Sequence, residues 1–488
     1  MKEVITMKNI LIRCFACLVA ISMLWACVSC GQTNDDPVPT DTETAENNET
    51  GEVKAYDEIQ KETFNRTFAI LARDDSLNQF EVEDLTGALL DDMLYERNSV
   101  VEKDFEITFE YYAMDVNQVH DAMRLQVSSG LDEYDMYSGH KYSFATCAQN
   151  NYCYDLNSIV TLDLSKPQWD QGCYENLTIQ DRTYIMTGDI DPNSMQISAC
   201  FLFNKSMMTD LGLSVQELNN LAANGGWTLD VMYEYGKDVT FDLNGDGKIS
   251  HENDRFNFSG WMMDVPYCLY YGAGGMCITI VDGTPELTLE TEDLVNVYEK
   301  IYSVVVGQNA HYVTDVGIID TFWQIFRDGR SMFLNTSIGG VKGITEGMED
   351  GYGILPTPKY DTNQKEYLSF VNGASPFVMV AKTENDPEFV GTIMDAMAAY
   401  NYDNVSPLIF QVITKLQAAQ DPESAAMVDV IIRHRIFDLA YFCDYGVANL
   451  VYSGLYSKRP EIASDLKGNA RVTERMLEKL IESFDKHD

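Results

Sequence analysis

Apolar residues along the first part of the folded region follow the spacings of alternating strands and helices. Thr67-Phe-Ala-Ile-Leu-Ala72 is a continuous apolar run and predicts a buried strand. Helical spacing then predicts a helix over 82–101, and alternation over 105–112 predicts a second strand. An amphipathic helix over 116–128 and a short strand over 134–137 follow. The order β-α-β-α-β predicts an α/β fold with a parallel sheet covered by helices.

The carboxyl ends of these strands are candidate ligand-binding positions. In open sheets of this kind, ligands bind in the crevice beyond the carboxyl ends of the strands. The ends predicted here are 73–76 and 137–140. They contribute the candidate residues Asp75, Tyr137, Ser138 and His140.

The apolar run near the amino terminus has the layout of a bacterial export signal. Basic residues precede an apolar stretch that is too short to span a membrane, and small residues precede a cysteine. Leu24-Trp-Ala-Cys27 is typical of a lipobox, in which the signal is cut and the cysteine is lipidated; Cys30 is a second candidate. We therefore predict a lipoprotein signal peptide over 1–26 and an anchor on the extracytoplasmic face of the cell membrane. An ordinary secretory signal is the alternative.

The segment after the lipobox is polar and acidic. Residues 27–60 are predicted to form a lipidated cysteine and a disordered acidic linker, because this composition cannot bury enough apolar surface. The formal net charge of the chain is −42, which argues against nucleic acid and against direct contact with anionic lipid headgroups. The membrane is therefore expected as a partner through the lipid anchor only.

Chain length and cysteine usage restrict the organisation of the rest. The remaining residues are too many for one hydrophobic core, so we expect two lobes. Beyond Cys30 there are seven cysteines, an odd number at wide spacing. Buried thiols are therefore expected in place of a disulfide framework.

Five segments in a fixed order resemble a known family. They are Leu94-Tyr-Glu-Arg-Asn98, Phe203-Asn-Lys205, Gly226-Trp-Thr228, Asp242-Leu-Asn-Gly-Asp-Gly247 and Leu355-Pro-Thr-Pro-Lys-Tyr360. Together they resemble the family 1 extracellular solute-binding proteins of bacterial ABC importers, relatives of the maltose-binding protein. The likeness extends from about Phe68 to Phe484.

This resemblance implies a fold and a function. The fold is a two-lobe periplasmic-binding-protein-like α/β fold of type II, with hinged lobes around a ligand cleft. The implied first lobe comprises 61–165 and 290–345, and the second comprises 166–289 and 346–488. The implied function is that of a monomeric receptor, not an enzyme, which captures a sugar or oligosaccharide by hinge closure and delivers it to ABC permease subunits.

One loop matches the first half of an EF-hand-type calcium site. Asp242, Asn244 and Asp246 supply oxygen ligands at positions 1, 3 and 5, and the backbone carbonyl of Lys248 falls at position 7. Position 12 is not acidic, and Asp254, one residue later, is the predicted substitute. We expect one structural Ca²⁺ ion. An Asp- and Gly-rich turn without an ion is the alternative.

Aromatic and amide side chains complete the candidate ligand site. Sugar sites combine flat aromatic rings with short polar side chains, so we add Trp261, Trp323, Asn335 and Tyr445. Packing in the core is the alternative for each of them.

Two other functions remain open from the residues alone. A receptor for peptides or another small solute would use a similar cleft. An exported glycoside hydrolase needs only a pair of carboxylates, which sequence cannot locate among 76 acidic residues. No zinc-protease, nucleophile-elbow or phosphate-loop motif occurs in the sequence.

Overall fold

The computed structural model describes residues 53–288, 291–313, 321–418 and 422–485. The predicted signal peptide, both lipidation candidates (Cys27 and Cys30) and the linker up to residue 52 lie outside the described residues. Within the described ranges, no helix combines the length and apolar character needed to cross a membrane.

Over residues 66–139, strands and helices alternate as the sequence pattern predicted. The strands are β1 (Arg66–Arg73), β2 (Ile107–Met114), β3 (Met136–Gly139), β4 (Ala199–Asn204), β5 (Phe256–Trp261), β6 (Ile278–Val281), β7 (Thr284–Leu287), β8 (His311–Val313), β9 (Ser331–Ser337), β10 (Tyr352–Leu355), β11 (Ser369–Phe370), β12 (Phe377–Met379) and β13 (Arg435–Ile436). The α-helices are α1 (Ala55–Glu58), α2 (Leu89–Phe105), α3 (Val119–Ser129), α4 (Lys141–Gln149), α5 (Gln171–Leu177), α6 (Lys205–Asp210), α7 (Val215–Ala223), α8 (Leu229–Gly236), α9 (Val265–Gly272), α10 (Thr291–Tyr302), α11 (Thr321–Arg327), α12 (Gly340–Thr345), α13 (Pro387–Tyr400), α14 (Ser406–Ala418), α15 (Pro422–Arg433), α16 (Leu439–Phe442), α17 (Leu450–Tyr456) and α18 (Ala463–Asp485). Two π-helical stretches, Ser303–Gly307 and Asn401–Val405, continue α10 and α13.

The first sheet has the strand order β12-β3-β1-β2. β1 lies parallel to both β2 and β3, as the β-α-β-α-β pattern predicted. β12 pairs antiparallel with β3, with Phe377 opposite Gly139. β1 is buried from Phe68 to Arg73, which explains its continuous apolar run. The carboxyl ends of β1 and β3 and the start of β12 therefore meet at one edge of this sheet.

Helix α2 begins later than the sequence predicted, at Leu89 instead of residue 82. Gly87 has φ of 79°, a left-handed conformation that a helix cannot contain. The carboxylate of Asp92 accepts the backbone N–H groups of Thr86 and Gly87 and holds the turn that precedes the helix. Local turn chemistry thus overrides the apolar spacing of residues 82–88.

The second sheet has the order β10-β4-β9-β5-β8. β5 is parallel to β8 and β9, whereas β4 is antiparallel to β9 and β10. The rings of Phe201 on β4 and Phe258 on β5 stack with their centroids 5.7 Å apart. The carboxyl ends of β5 and β9 lie at the same edge as the beginning of β4.

Sheet membership differs from the predicted lobe boundaries. β9, which the boundaries assign to the first lobe, pairs with β4 and β5 in the second sheet. β12, assigned to the second lobe, closes the edge of the first sheet. A strand shows its apolar face in the sequence, but its hydrogen-bonding partner is set by distant segments, so the sequence does not reveal which sheet it joins.

Two segments, here called the crossing segments, connect the sheets: 187–198 and 372–376. Met186 bridges to Val378 beside the first sheet, and β4 of the second sheet begins after residue 198. In the return direction Val371 bridges to Ser198, and β12 begins after residue 376. These segments join the two lobes.

The first crossing segment is held in place on the first-lobe side. Gly188 has φ of 146°, and a Cβ atom there would lie 2.5 Å from the backbone oxygen of Gln168, so only glycine fits. The next residue, Asp189, accepts hydrogen bonds from Ser406 Oγ at its carboxylate and from Asn401 Nδ2 at its backbone oxygen.

The described residues begin inside the segment predicted as linker. Tyr56 in α1 is 8% exposed, and its ring packs edge-on against Tyr400 at 5.4 Å. The carboxylate of Asp403 accepts the backbone N–H groups of Ala55 and Tyr56. Tyr56 is the first aromatic residue after the acidic stretch, and its burial ties this end of the predicted linker to the first lobe.

Candidate functional site

An arginine–aspartate pair occupies the carboxyl end of β1. Arg73 donates from Nε and Nη2 to the two carboxylate oxygens of Asp75, at 2.8 and 2.7 Å. Its Nη1 donates to the backbone oxygen of Ala374 at 2.6 Å. The Arg73 hydrogen bond lowers the pKa of Asp75, so this exposed carboxyl is ionised at neutral pH. Asp75 is a predicted ligand residue because it follows the strand. Arg73 is not among the predicted ligand residues.

Ser138, near the end of β3, and His140, directly after it, lie at the same edge. Both residues are buried, and Ser138 Oγ and His140 Nδ1 have no hydrogen-bond partner among the described residues. Burial, and then the positive charge of Arg73, lower the pKa of His140 to about 4. The imidazole is therefore neutral at physiological pH and has one donor and one acceptor nitrogen.

Further polar groups at this end of the lobe were not predicted from the sequence. Asp191, on the first crossing segment, is 1% exposed, and its Oδ2 lacks a partner in the described part of the chain. Burial raises the pKa of Asp191 to about 7, although the nearby Arg73 and Arg97 charges oppose the rise. Other buried side-chain oxygens also have no hydrogen-bond partner among the described residues, including those of Ser76, Gln79 and Ser375.

Such atoms need an explanation, because buried polar groups are nearly always hydrogen-bonded in folded proteins. An ordered water or a polar ligand would supply the missing partners. No sequence signal marks these residues, since the burial of a serine or glutamine is decided by tertiary packing.

Trp261 and Asn335 lie near the carboxyl ends of β5 and β9 in the second sheet, and Trp323 lies on a helix that packs against these two strands. Trp261 ends β5, Trp323 lies on α11, and both rings are partly buried against the same apolar cluster. The Nε1 atoms of both indoles are buried and have no acceptor among the residues described here. Asn335, 3% exposed, donates a long hydrogen bond of 3.4 Å to the backbone oxygen of Cys200. The structure thus groups three of the four later candidates in the second lobe.

The second crossing segment touches both edges. Asn372 donates to the carboxylate of Asp264, which follows β5 in the second lobe. Two residues further on, Ala374 accepts the hydrogen bond from Arg73 of the first lobe. Burial raises the pKa of Asp264 to about 7, against the opposing effect of the Asn372 hydrogen bond. Asp264 and Asn372 were not predicted, and they connect the two groups of candidates.

Two predicted ligand residues lie in the core instead. Tyr137 is fully buried, and its hydroxyl donates to Gln126 Oε1 at 2.9 Å. Tyr445 is 1% exposed, and its hydroxyl donates to the backbone oxygen of Met476. Successive strand residues point to opposite faces of a sheet, so Tyr137 faces away from its neighbour Ser138.

The predicted calcium loop is organised by its carboxylates. The Asp242 carboxylate accepts the backbone N–H groups of Gly245 and Gly247, both at 2.7 Å. Asp254 is fully buried and accepts N–H groups from both ends of the loop, Leu243 at 2.9 Å and Ser250 at 2.7 Å. Across the described ranges, no group of three or more His, Cys, Asp or Glu side chains is placed to hold a metal ion. The Asn244 and Asp246 side chains and the Lys248 backbone lie within the same turn.

A separate pocket of about 410 Å³ opens elsewhere in the second lobe. It lies between the end of α9, the glycine turn that follows, and the first turns of α10. Its lining includes Tyr270, Met276, Asp293, Leu294 and Tyr360. None of the sequence-predicted ligand residues lines this pocket.

Comparison with known proteins adds a family and a set of similar folds. Residues 100–409, more than half of the chain, match the family described as bacterial extracellular solute-binding protein. Comparison with curated protein sequences gave no match.

Several solved structures share the fold at low sequence identity. One is the galacto-N-biose-/lacto-N-biose I-binding protein of an ABC transporter from Bifidobacterium longum, in complex with lacto-N-biose (13% identity, TM-score 0.56, covering 85% of this chain and 97% of that one). Another is an ABC substrate-binding protein from Listeria monocytogenes in complex with cycloalternan (15%, 0.53, 84% and 99%). A third is UgpB from Mycobacterium tuberculosis in complex with glycerophosphocholine (13%, 0.51, 85% and 98%).

Proposed function

The chain belongs to the bacterial extracellular solute-binding proteins, and on that premise we propose that it captures a carbohydrate for an ABC importer. Proteins of this family bind a solute and do not transform it. The carbohydrate, its delivery to membrane permease subunits and the action of the receptor as a monomer are parts of the proposal.

The observation that carries the proposal is the set of buried polar atoms at both sheet edges that find no partner within the described part of the chain. Trp261 and Trp323 offer N–H donors, and Asp191 offers an acceptor. Ser138 and neutral His140 can donate or accept. A sugar hydroxyl also donates and accepts, and its apolar ring face suits an indole. A polyhydroxylated ligand would therefore satisfy both edges at once.

Hinge closure follows from the way the lobes are joined. A ligand that contacts both edges stabilises the closed arrangement by the contacts it makes only there. Asp264–Asn372 and Arg73–Ala374 attach both edges to the second crossing segment. We propose that this segment bends when the lobes close and that the permease binds the closed form.

The same proposal includes attachment to the membrane through lipid on Cys27 or Cys30. Cells that express the full chain with a radiolabelled fatty acid would incorporate label into the protein. We expect Cys27→Ala to abolish labelling and Cys30→Ala to retain it. The reverse result would move the anchor to Cys30, and absence of label from the unsubstituted chain would refute the anchor.

The test of carbohydrate binding is a thermal-shift screen of residues 54–488 against oligosaccharides, monosaccharides, amino acids and short peptides. A millimolar ligand with micromolar affinity stabilises the native state by about 4 kcal/mol. We expect a clear rise in melting temperature with one class of glycan and no conversion of that glycan. A response to peptides alone would replace the carbohydrate by a peptide, and products of hydrolysis would indicate a glycosidase.

We further propose one structural Ca²⁺ ion in the loop 242–254. Asp242 and Asp254 support it, because their carboxylates already bind backbone N–H groups from several turns of the loop. Added Ca²⁺ should raise the melting temperature of the chelated protein, and Asp242→Asn should abolish the rise. Asp361→Asn is the matched control, because Asp361 also accepts backbone N–H groups, from Asn363 and Gln364, in an exposed turn. Equal melting curves with and without Ca²⁺ would refute the site.

A further inference from the structure

Helix α4 ends in a turn that brings the chain back against its own last turn. Asn151 has φ of 59°, and its N–H donates to the oxygen of Ala148. The N–H of Tyr152 donates to the oxygen of Cys147 at 3.0 Å. This pair of bonds is the Schellman ending of a helix, which reverses the chain direction. Cys153 follows immediately and therefore lies beside Cys147.

The two thiols are buried and close together. Cys147 is 0% and Cys153 is 2% exposed. The Cys147 thiol is near enough to that of Cys153 to raise its pKa, and Cys153 Sγ lies 3.7 Å from Met123 Sδ. A bridge between Cys153 and Ala381 fixes the returning chain.

The other cysteines lie farther apart along the chain. All seven cysteines of the described residues are buried and none is disulfide-bonded. The thiol of Cys277 pairs with the hydroxyl of Tyr270 at 3.6 Å, and that of Cys268 lies near Asn335 and the Cys200 thiol. Cys147 and Cys153 are distinguished by their short separation along the chain and by the turn that returns Cys153 to the end of α4.

We propose that Cys147 and Cys153 form a disulfide bond when the exported chain folds. The family acts outside the cell, where disulfides can persist. The two thiols lose two protons and two electrons to a disulfide-bonded oxidant, RSSR, which yields one Cys147–Cys153 bond and two RSH. This inference does not depend on the identity of the bound solute.

Burial dictates when the bond forms. Burial, with the neighbouring Cys147 thiol as a second contribution, raises the pKa of Cys153 well above its usual value. The thiolate is the reactive form, so the folded protein presents neither a nucleophile nor access to an oxidant. Oxidation therefore precedes the final packing of this core, and the finished bond resists reduction until the protein unfolds.

The test maps the thiols of the full chain recovered after export, and of the same chain refolded with reduced and oxidised glutathione. Protein is unfolded in denaturant, alkylated and cut with trypsin. Cleavage after Lys141 and Arg182, with Lys166 protected by the following proline, gives one peptide that contains Cys147, Cys153 and Cys173. We expect one alkyl group on this peptide, on Cys173, and three after prior reduction in denaturant.

Three alkyl groups on that peptide in both oxidising preparations would overturn the proposal, as would a bond from Cys173 to either partner.

A second measurement compares melting temperatures. Cys147→Ala and Cys153→Ala should each abolish the stabilisation that the oxidised protein shows over the protein refolded under reducing conditions. Cys173→Ala, at an equally buried cysteine of the same peptide, should retain it. Stabilisation that persists in all three variants would also refute the bond.

Discussion

Replacing Trp261 or Trp323 by phenylalanine removes an indole N–H and keeps an aromatic ring. Because neither N–H has an acceptor among the described residues, its removal costs the free protein no hydrogen bond. An unpartnered buried donor is itself unfavourable by about 1–3 kcal/mol, which offsets the packing lost with the smaller ring. We therefore expect the free energy of unfolding of the ligand-free protein to change by less than about 1 kcal/mol.

Ligand affinity should respond differently. If a ligand hydroxyl accepts the indole hydrogen bond, its loss costs about 0.5–1.5 kcal/mol. At 1.4 kcal/mol per tenfold, this corresponds to a rise in Kd of about 2- to 12-fold. Calorimetric titration with the most stabilising glycan measures this change, and denaturant unfolding measures stability.

Trp227→Phe is the matched control. Trp227 is fully buried, and its Nε1 donates to the backbone oxygen of Pro356 at 2.9 Å. Its replacement leaves that oxygen without its donor and opens a cavity, so we expect a loss of about 2–4 kcal/mol in stability with little change in Kd. If Trp261→Phe and Trp323→Phe lose as much stability as the control and retain their affinity, the indoles belong to the core.

Two further predictions concern the first crossing segment. Because the pKa of Asp191 is raised to about 7, the protonated carboxyl favours the folded state, and this contribution is lost as pH rises from about 4 through 7. Asp191→Asn should flatten the dependence of melting temperature on pH in that range, and an unchanged profile would show that Asp191 does not titrate with folding. Gly188→Ala places a Cβ 2.5 Å from the Gln168 oxygen at a φ of 146°, so we expect a loss of about 1–3 kcal/mol by denaturant unfolding. Gly343→Ala, within a helix and with nothing within 4 Å of its Cβ, should be neutral or stabilising; equal effects at both glycines would contradict the steric argument.

The sequence predicted local elements well where the apolar pattern and the turn residues agree. Residues 66–73 appear as β1, and the parallel arrangement of β1, β2 and β3 follows from the predicted order. The family match confirms the resemblance to extracellular solute-binding proteins. The start of α2 and the sheet membership of β9 and β12 differ, because a glycine turn and long-range pairing decide them.

The sequence could predict only those site residues whose position relative to a strand, or whose aromatic character, is evident from the sequence itself. Asp75 and His140 follow strands, Ser138 lies near the end of one, and Trp261 and Trp323 are large aromatic residues. Tyr137 has the same sequence context as Ser138 and yet faces the core, because neighbouring strand residues alternate between faces. Asp191, Asp264 and Asn372 were missed because their importance comes from burial between segments that lie far apart in the chain.

The late position of β12 has a consequence for how the protein reaches its folded state. Phe377 pairs with Gly139, and the strands of the second sheet all lie between them in the chain. The first sheet therefore cannot be completed until the chain has been synthesised as far as Met379 of its 488 residues. Contacts between residues so far apart slow folding, because the entropy of closing the loop is lost before the contacts form. In a chain that is exported, slow closure of this core would favour passage across the membrane before folding is complete.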